Sequence, residues 1–248
     1  MKIAIISDIH SNIEALHAVL RKIDKEKVDV IVNLGDIVGY NASPDECVTE
    51  IRKCEAISVS GNHDSAVHDL TARESFNVFA NQAIRWSHFK LSKENKDFLK
   101  KLPLLSIVWD RFVACHGTLK SNDSYIVKPF QARRMFNIMR KEYQRINICF
   151  FGHTHRQAVW ARDVRGKVKQ LKLNENPIHL NPEKMYLINP GSVGQPRQND
   201  WRASFLTFEP EEAKITFYSV PYDLYKAQQK ILKAELPSFL AERLAEGV

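Results

Sequence analysis

Five short segments of this chain carry the side chains that hold divalent ions: Asp8-Ile9-His10, Gly35-Asp36, Gly61-Asn62-His63-Asp64, His116-Gly117 and Gly152-His153-Thr154-His155. Each sits at the C-terminal end of an apolar run that reads as a buried strand, and that placement constrains the fold more than any other feature. In an open α/β sheet, the C-terminal ends of the strands form the crevice where ligands bind. Residues far apart in sequence can therefore meet there. Asp36, Asn62, His116 and His153 each sit next to a glycine. Seven of the nine glycines, Gly35, Gly39, Gly61, Gly117, Gly152, Gly191 and Gly194, fall in these segments or in related loops. Glycine lets backbone turn sharply and approach a ligand, and a solvated surface has no reason to gather it so.

The runs between the motifs alternate in period. Strands are expected at Lys2 to Ser7, Val28 to Leu34, Ala56 to Ser60, Leu104 to Trp109, Phe112 to Cys115 and Ile146 to Phe151. More follow at Ala158 to Asp163, Lys167 to Leu173, Lys184 to Ile188, Ala203 to Phe208 and Ile215 to Val220. Ser11-Asn12-Ile13-Glu14 reads as a capping box with Ser11 as N-cap, and Ile13, Leu16, Leu20 and Ile23 follow at helical spacing. Further helices are expected from Pro44 to Cys54, Ala72 to His88, Ser92 to Lys101, Pro129 to Tyr143, Tyr222 to Ala234 and Ser238 to Ala245. Asn174 to Pro182 reads as a surface loop. With no repeats and no clear linker, 1–248 is expected to form one α/β domain.

Composition narrows the class. At 44% hydrophobic content a core is affordable, and no apolar stretch is long enough to span a bilayer. The apolar start of the chain is too short for a signal peptide and runs straight into a motif, so a cytoplasmic protein with no membrane partner is expected. The four cysteines show no C-x-x-C spacing and read as reduced thiols. A net charge of +7 favours anionic partners. The basic residues are scattered, however, and no basic run is interleaved with aromatics. Nucleic acid is therefore permitted as a partner but unsupported. The sequence specifies no oligomeric state.

Asp, Asn and His supply oxygen and imidazole nitrogen, donors that suit first-row divalent ions. Asp8 and His10, two apart in a segment expected to be extended, should point to one side. His153 and His155 should do the same, while Cys115 turns into the core. His17, His68, His88 and His179 have no such neighbours and read as ordinary histidines, although the segment from Asp64 to Arg73 could fold His68 over the site.

The ordered set D-x-H, G-D, G-N-H-D, H-G and G-H-T-H resembles the calcineurin-like metallophosphoesterase superfamily. The segment Asn189-Pro190-Gly191-Ser192-Val193-Gly194-Gln195-Pro196-Arg197 resembles a loop of its small prokaryotic phosphodiesterase branch. The resemblance implies a four-layer α/β/β/α sandwich, with two central mixed sheets flanked by helices and a two-metal site on one edge. It implies one ion held by Asp8, His10, Asp36 and His155, and a second by Asp36, Asn62, His116 and His153, with Asp36 bridging. Mn²⁺ is the expected ion, and Fe, Zn²⁺ and Ni²⁺ are compatible. His63 is left free as a general acid. Asp64 either orients it or caps the helix or turn that follows.

A plain turn at Gly191 to Gly194 has a functional alternative, a nest of backbone N–H groups with Ser192 beside a phosphate. Arg197 would then clamp the phosphate. The expected substrate is a small phosphorylated molecule. Ile37-Val38-Gly39-Tyr40 follows Asp36, and Ser65-Ala66 follows Asp64, where protein phosphatases and dinucleoside polyphosphate hydrolases carry arginines. That departure favours phosphodiesters over phosphomonoester dianions, with a dinucleoside polyphosphate hydrolase or a protein or nucleotide phosphatase as the alternative within the superfamily. A nucleic-acid-processing protein and an inactive scaffold of the same fold are the other classes the sequence admits. A scaffold would be expected to have lost ligands, and none is lost here.

Overall fold

In the computed structural model, which describes residues 1–69 and 76–248, every residue of Ile3–Ile6 (β1) is buried. Its two faces go to different places. Ile3 and Ile5 point into one apolar cluster, and Ala4 and Ile6 into another. A strand covered on both faces reads as a continuous apolar run, which is the pattern in the sequence. β1 pairs in parallel with Val30–Asn33 (β2), and β2 in parallel with Ile57–Ser58 (β3). The helices Ile13–Lys25 (α1) and Pro44–Lys53 (α2) are the intervening crossovers. After β3 come a short helix Asn62–Ala66 (α3), then Val78–Lys90 (α4) and Lys93–Lys101 (α5). The expected start of α4 at Ala72 lies outside the described residues.

The second half builds a second sheet. Leu105–Val108 (β4) and Phe112–Cys115 (β5) form a hairpin. Trp109 and Asp110 at its tip both take positive φ, as the right-handed twist of a tight hairpin requires. Helix Pro129–Glu142 (α6) leads to Ile148–Phe150 (β6), Gln157–Arg162 (β7) and Val168–Gln170 (β8). Next come Ile178–His179 (β9), Met185–Pro190 (β10), Ala203–Glu209 (β11) and Lys214–Val220 (β12), then helices Leu224–Lys233 (α7) and Ser238–Glu246 (α8). One sheet has the order β3-β2-β1-β11-β12-β9, the other β4-β5-β6-β10-β7-β8. Both mix parallel and antiparallel pairs.

The core falls into three slabs. Ile3, Ile5, Leu34, Phe112, Phe150, Ile188 and Phe208 fill the space between the sheets. Ala4, Ile6 and Phe205 pack the outer face of the first sheet against α1, α2, α4, α7 and α8. Val113, Cys115, Cys149 and Leu187 pack the outer face of the second against α6. The result is the expected four-layer α/β/β/α arrangement. The four cysteines are free, and Cys54 is only partly buried. Among the described residues no helix is long and apolar enough to cross a membrane.

Two local expectations are corrected. The N-cap of α1 is Asn12, whose side chain accepts from the Ala15 N–H at 3.1 Å. Ser11 has left-handed φ and turns its hydroxyl to the Gly39 N–H. The stretch expected to be loop at Asn174 to Pro182 contributes β9, an edge strand of two residues, too short to leave a period in the sequence.

Candidate metal centre

The five motif segments leave the ends of β1, β2, β3, β5 and β6 and are knitted together by their backbones. Asp8 N–H donates to Gly35 O, His10 N–H to Asp36 O, and Gly152 N–H to His116 O. Asp8, His10, Ser11, Asp36, Tyr40, His153 and His155 all take left-handed φ, between 47° and 65°. The expected extended D-x-H and H-T-H segments are therefore not extended. Asp8, His10, Asp36, His153 and His155 bend over the ends of their strands instead of alternating along them. Such conformations cost about 1–3 kcal/mol each and persist where the surroundings over-determine them. Gly61 shows how tight the assembly is, since a Cβ there would sit 2.0 Å from Asp36 Oδ1.

Three overlapping groups place their donor atoms within 4.8 Å of one another: Asp8, His10 and His155; His10, Asp36 and His63; Asp36, His116 and His153. All are buried. His155 Nε2 lies 3.2 Å from Asp8 Oδ1, and His116 Nε2 3.2 Å from Asp36 Oδ2. Three of the imidazoles have their other nitrogen fixed by a backbone carbonyl: His10 Nδ1 by Val38 O at 3.0 Å, His116 Nδ1 by Leu34 O at 2.8 Å and His155 Nδ1 by Gln195 O at 2.6 Å. A carbonyl only accepts, so each Nδ1 carries its hydrogen. In the neutral ring the Nε2 lone pair is then bare and faces the site. His10 Nε2 and His155 Nε2 face each other at 3.1 Å, an arrangement that is repulsive between two lone pairs and favourable around a cation.

The remaining donors tell the same story. Asp8 Oδ1, Asn62 Oδ1, His116 Nε2 and His153 Nε2 are buried without a hydrogen-bond partner. Buried polar atoms are otherwise nearly always satisfied. Four orphans and an opposed pair, all in one volume, fit a site for cations.

The electrostatics agree. Burial drives His10 and His155 well below the ordinary imidazole range, His153 down to about 3 and His63 to about 4. All four are thus neutral, the form that ligates metal. Burial and the Asp36 charge push Asp8 up to about 6. Burial would also raise Asp36, but His116, His63 and His10 outweigh it and hold that carboxyl well below its usual range. His116 is the counterpart: burial opposes its charge, yet Asp36 and Asp8 raise it to about 10. Two carboxylates sharing a dry volume require positive charge, and without an ion a proton on His116 supplies it.

The other expected residues divide. Asn62 stands at the rim of the cluster. Its Nδ2 donates to Asp123 Oδ1 at 3.1 Å, an atom 4.0 Å from His153 Nε2, and its own Oδ1 is buried without a partner. His63 is buried, with its ring edge-on to His10 at 4.7 Å, beside Tyr40 and Phe76. Asp64 makes no hydrogen bond to the His63 ring among the described residues. Its Oδ1 accepts from Ile37 N–H and Val38 N–H, and its Oδ2 from Gly61 N–H. That is the capping alternative, and it braces the Asp36 and Asn62 loops against each other.

The Gly191 loop is a brace of the same kind. Gly191 N–H donates to Asn189 Oδ1, Val193 N–H to Ser7 O, Gly194 N–H to Asp8 O and Gln195 N–H to Ser192 Oγ. Ser192 Oγ in turn donates to Asp8 O at 2.8 Å. These N–H groups serve the protein itself, so the loop forms no anion nest; it holds Asp8 in place. Arg197 does reach the site. Its charge acts on Asp8, His10, His63, His153 and His155, and its Nη2 lies 3.4 Å from the Tyr40 hydroxyl. His17, His68, His88 and His179 stay out of the cluster among the described residues.

Sequence reasoning missed Asp123, Tyr125, Tyr40 and Arg243. Tyr125 stacks on the His153 ring at 4.1 Å. Tyr40 lies 4.6 Å from the His10 ring and carries a guanidinium from each of Arg197 and Arg243. None of the four sits in a motif, and only Tyr40, next to Gly39, had a neighbour that could have flagged it.

Two packed mixed sheets with a buried carboxylate–imidazole cluster at the ends of their parallel strands define a metallophosphoesterase, an enzyme that hydrolyses phosphoric esters. The chain belongs to the calcineurin-like phosphoesterase superfamily, whose domain model matches residues 1–213. It is 40% identical over 249 residues to an uncharacterized protein of Methanocaldococcus jannaschii, covering 99% of this chain and 98% of that one. The crystal structure of a metallophosphoesterase from Sphaerobacter thermophilus is 36% identical, with a TM-score of 0.84 and complete coverage of both chains. A hypothetical protein from Pyrococcus horikoshii shares the fold at 18% identity, with a TM-score of 0.77 over 100% of this chain and 98% of that one.

Proposed function

We propose that this protein is a dinuclear-metal phosphodiesterase. The observation that carries the reading is the convergence of unpartnered donor atoms, Asp8 Oδ1, Asn62 Oδ1, His116 Nε2 and His153 Nε2, around the opposed His10 and His155 nitrogens. Asp8, His10, Asp36 and His155 would hold one ion and Asp36, Asn62, His116 and His153 the other. Oxygen and imidazole donors without thiolate suit Mn²⁺. The free thiols fit the reducing cytoplasm. Two such ions, when bound, neutralise phosphoryl charge and make water a nucleophile near neutral pH.

The chain's own groups do the rest. The neutral amide of Asn62 keeps the cluster's negative charge low. His63, neutral in the free site and held against Gly39, would take up a proton as the anionic ester binds beside it and pass that proton to the departing ester oxygen. Arg197 directs its guanidinium to the non-bridging oxygens. Positive charge around the cluster is sparse because Tyr40 and Ala66 stand in the loops where related branches place arginine. A diester, with one negative charge, suits such a site better than a dianionic monoester.

The test is a comparison of bis(4-nitrophenyl) phosphate with 4-nitrophenyl phosphate on the Mn²⁺-loaded enzyme at neutral pH, corrected for intrinsic reactivity. The diester should show the higher kcat/KM. A clear monoester preference would overturn the substrate reading, and full turnover after verified metal removal would overturn the metal reading.

A further inference from the structure

Past residue 213, where the family match ends, the chain runs through α7 and α8 and returns to the edge of the metal centre. Arg243, on α8, places its guanidinium 5.8 Å from the Tyr40 ring centroid, and Arg197 places its own at 5.9 Å. Tyr40 is itself 4.6 Å from His10 and 4.7 Å from His63, ring to ring. Two cations thus share one aromatic ring at the rim of the centre.

Neither has an Asp or Glu carboxylate within salt-bridge distance among the described residues. Arg197 spends Nη2 on the Tyr40 hydroxyl and Gln195 Oε1, and its Nε is buried without a partner. Arg243 donates through Nε to Val248 O at 2.7 Å, and its two Nη groups have no hydrogen-bond partner among the described residues. Burial and the nearby Arg197 charge lower the Arg243 pKa. Cation–π contact with Tyr40 and Phe239 offsets only part of such crowding. Guanidinium N–H groups left free beside such a site are donors suited to a phosphate.

The two arginines stand at different depths. Arg197 acts on the ligand residues themselves, whereas the Arg243 charge is felt at Tyr40. An anion held by both therefore sits at the Tyr40 edge of the centre.

We propose that Arg243 and Arg197 form an outer anion subsite that takes a phosphate carried on the alcohol portion of the substrate, so that the preferred substrate is a phosphodiester bearing a second phosphate. As a statement about turnover this rests on the diester reading above; as a statement about binding it does not. α8 thereby supplies from the end of the chain a positive charge that the motif loops lack.

The test uses two probes that differ by one phosphate, thymidine 5′-monophosphate and thymidine 3′,5′-bisphosphate. Their binding to the Mn²⁺-loaded full-length protein is measured by calorimetry at low salt, where exposed charges are least screened. The bisphosphate should bind wild type about tenfold tighter or more, a difference of ~1.4 kcal/mol. That ratio should fall toward one in Arg243→Gln and to an intermediate value in Arg243→Lys, which keeps charge but loses the planar fork. A ratio near one in wild type overturns the subsite, and so does an undiminished ratio in Arg243→Gln. If the Gln variant does not fold, the wild-type ratio and the Lys variant still decide. Failure of every diester to be hydrolysed would sink the diester reading and leave the binding ratio to stand or fall separately.

Discussion

His63 turns its Nδ1 toward the backbone at Gly39, where φ is +102° and a Cβ would come within 2.3 Å of that nitrogen. Gly39→Ala therefore cannot keep both the loop and the ring in place. No proposed ligand is removed, so the variant separates His63 from the metals. It should retain two ions per chain by metal analysis, lose about 1–3 kcal/mol of stability through backbone strain, and fall in kcat roughly 10²-fold, the low end for losing a general acid. Wild-type turnover in Gly39→Ala, or a drop explained by lost metal, would remove His63 from the proton-transfer role. At this scale the residue types were legible and their conformations were not. Glycine-flanked Asp, Asn and His identified the cluster. Nothing in the spelling of Asp8-Ile9-His10 announces a left-handed backbone, because that conformation is imposed by hydrogen bonds to Gly35 and Asp36, residues of another loop. The role of Asp64 stayed open, and Ser192 was expected beside a phosphate, for the same reason. A polar side chain beside a site can face either the ligand or the loops, and here both are taken up by backbone groups whose positions are set by the fold.

The first helix shows the same division at the scale of the element. The apolar spacing Ile13, Leu16, Leu20 and Ile23 was readable, and α1 spans Ile13–Lys25. Its start was misplaced by one residue. Ser11 and Asn12 are both good caps, and local sequence gives no reason to choose. The choice is made across the molecule: Asn12 Nδ2 donates to Gly194 O at 3.0 Å while its Oδ1 caps Ala15 N–H, so one buried amide ties the helix to the loop that holds Asp8. Asn12→Ala loses both bonds and should cost about 2 kcal/mol by urea unfolding, cap and buried hydrogen bond together. Asn12→Ser, which keeps a capping oxygen, should cost about half as much. Equal losses in the two variants would mean that the cap contributes nothing and that only the tie to Gly194 counts. Strand existence was read from apolar runs in the same way, yet β9 was missed because two edge residues show no alternation.

At the scale of the whole molecule, the sequence named nearly every strand but could not order them. Nothing in Ala203–Glu209 says that it lies antiparallel beside β1, or in Met185–Pro190 that it separates β6 from β7. Those partners are chosen by how the three apolar slabs close. The four-layer arrangement came from the resemblance of the motifs, not from periodicity. One consequence follows from the order itself. Asp8, Asp36 and Asn62 leave strands of the first sheet, while His116, His153 and His155 leave strands of the second. Ions held by both sets would fasten the two sheets together along one edge, and would bind the folded chain but not the unfolded one. Stability must then rise with free metal as RT ln(1 + [M]/Kd) for each site, about 4 kcal/mol at a thousandfold excess over Kd. Removing metal should therefore lower Tm by several degrees, and adding Mn²⁺ should restore it in a concentration-dependent way. Amide exchange should accelerate at residues 8–12, 36–41, 61–64, 116–118 and 152–156, the loops of the shared edge. The pairing of β11 with β12, on the strands that carry no proposed ligand, should keep its protection. A Tm indifferent to metal would mean that ions do not join the sheets. Uniform acceleration across both sheets would mean that the metal edge and the core unfold as one unit, and the centre would then be part of the fold's stability instead of a site built onto it.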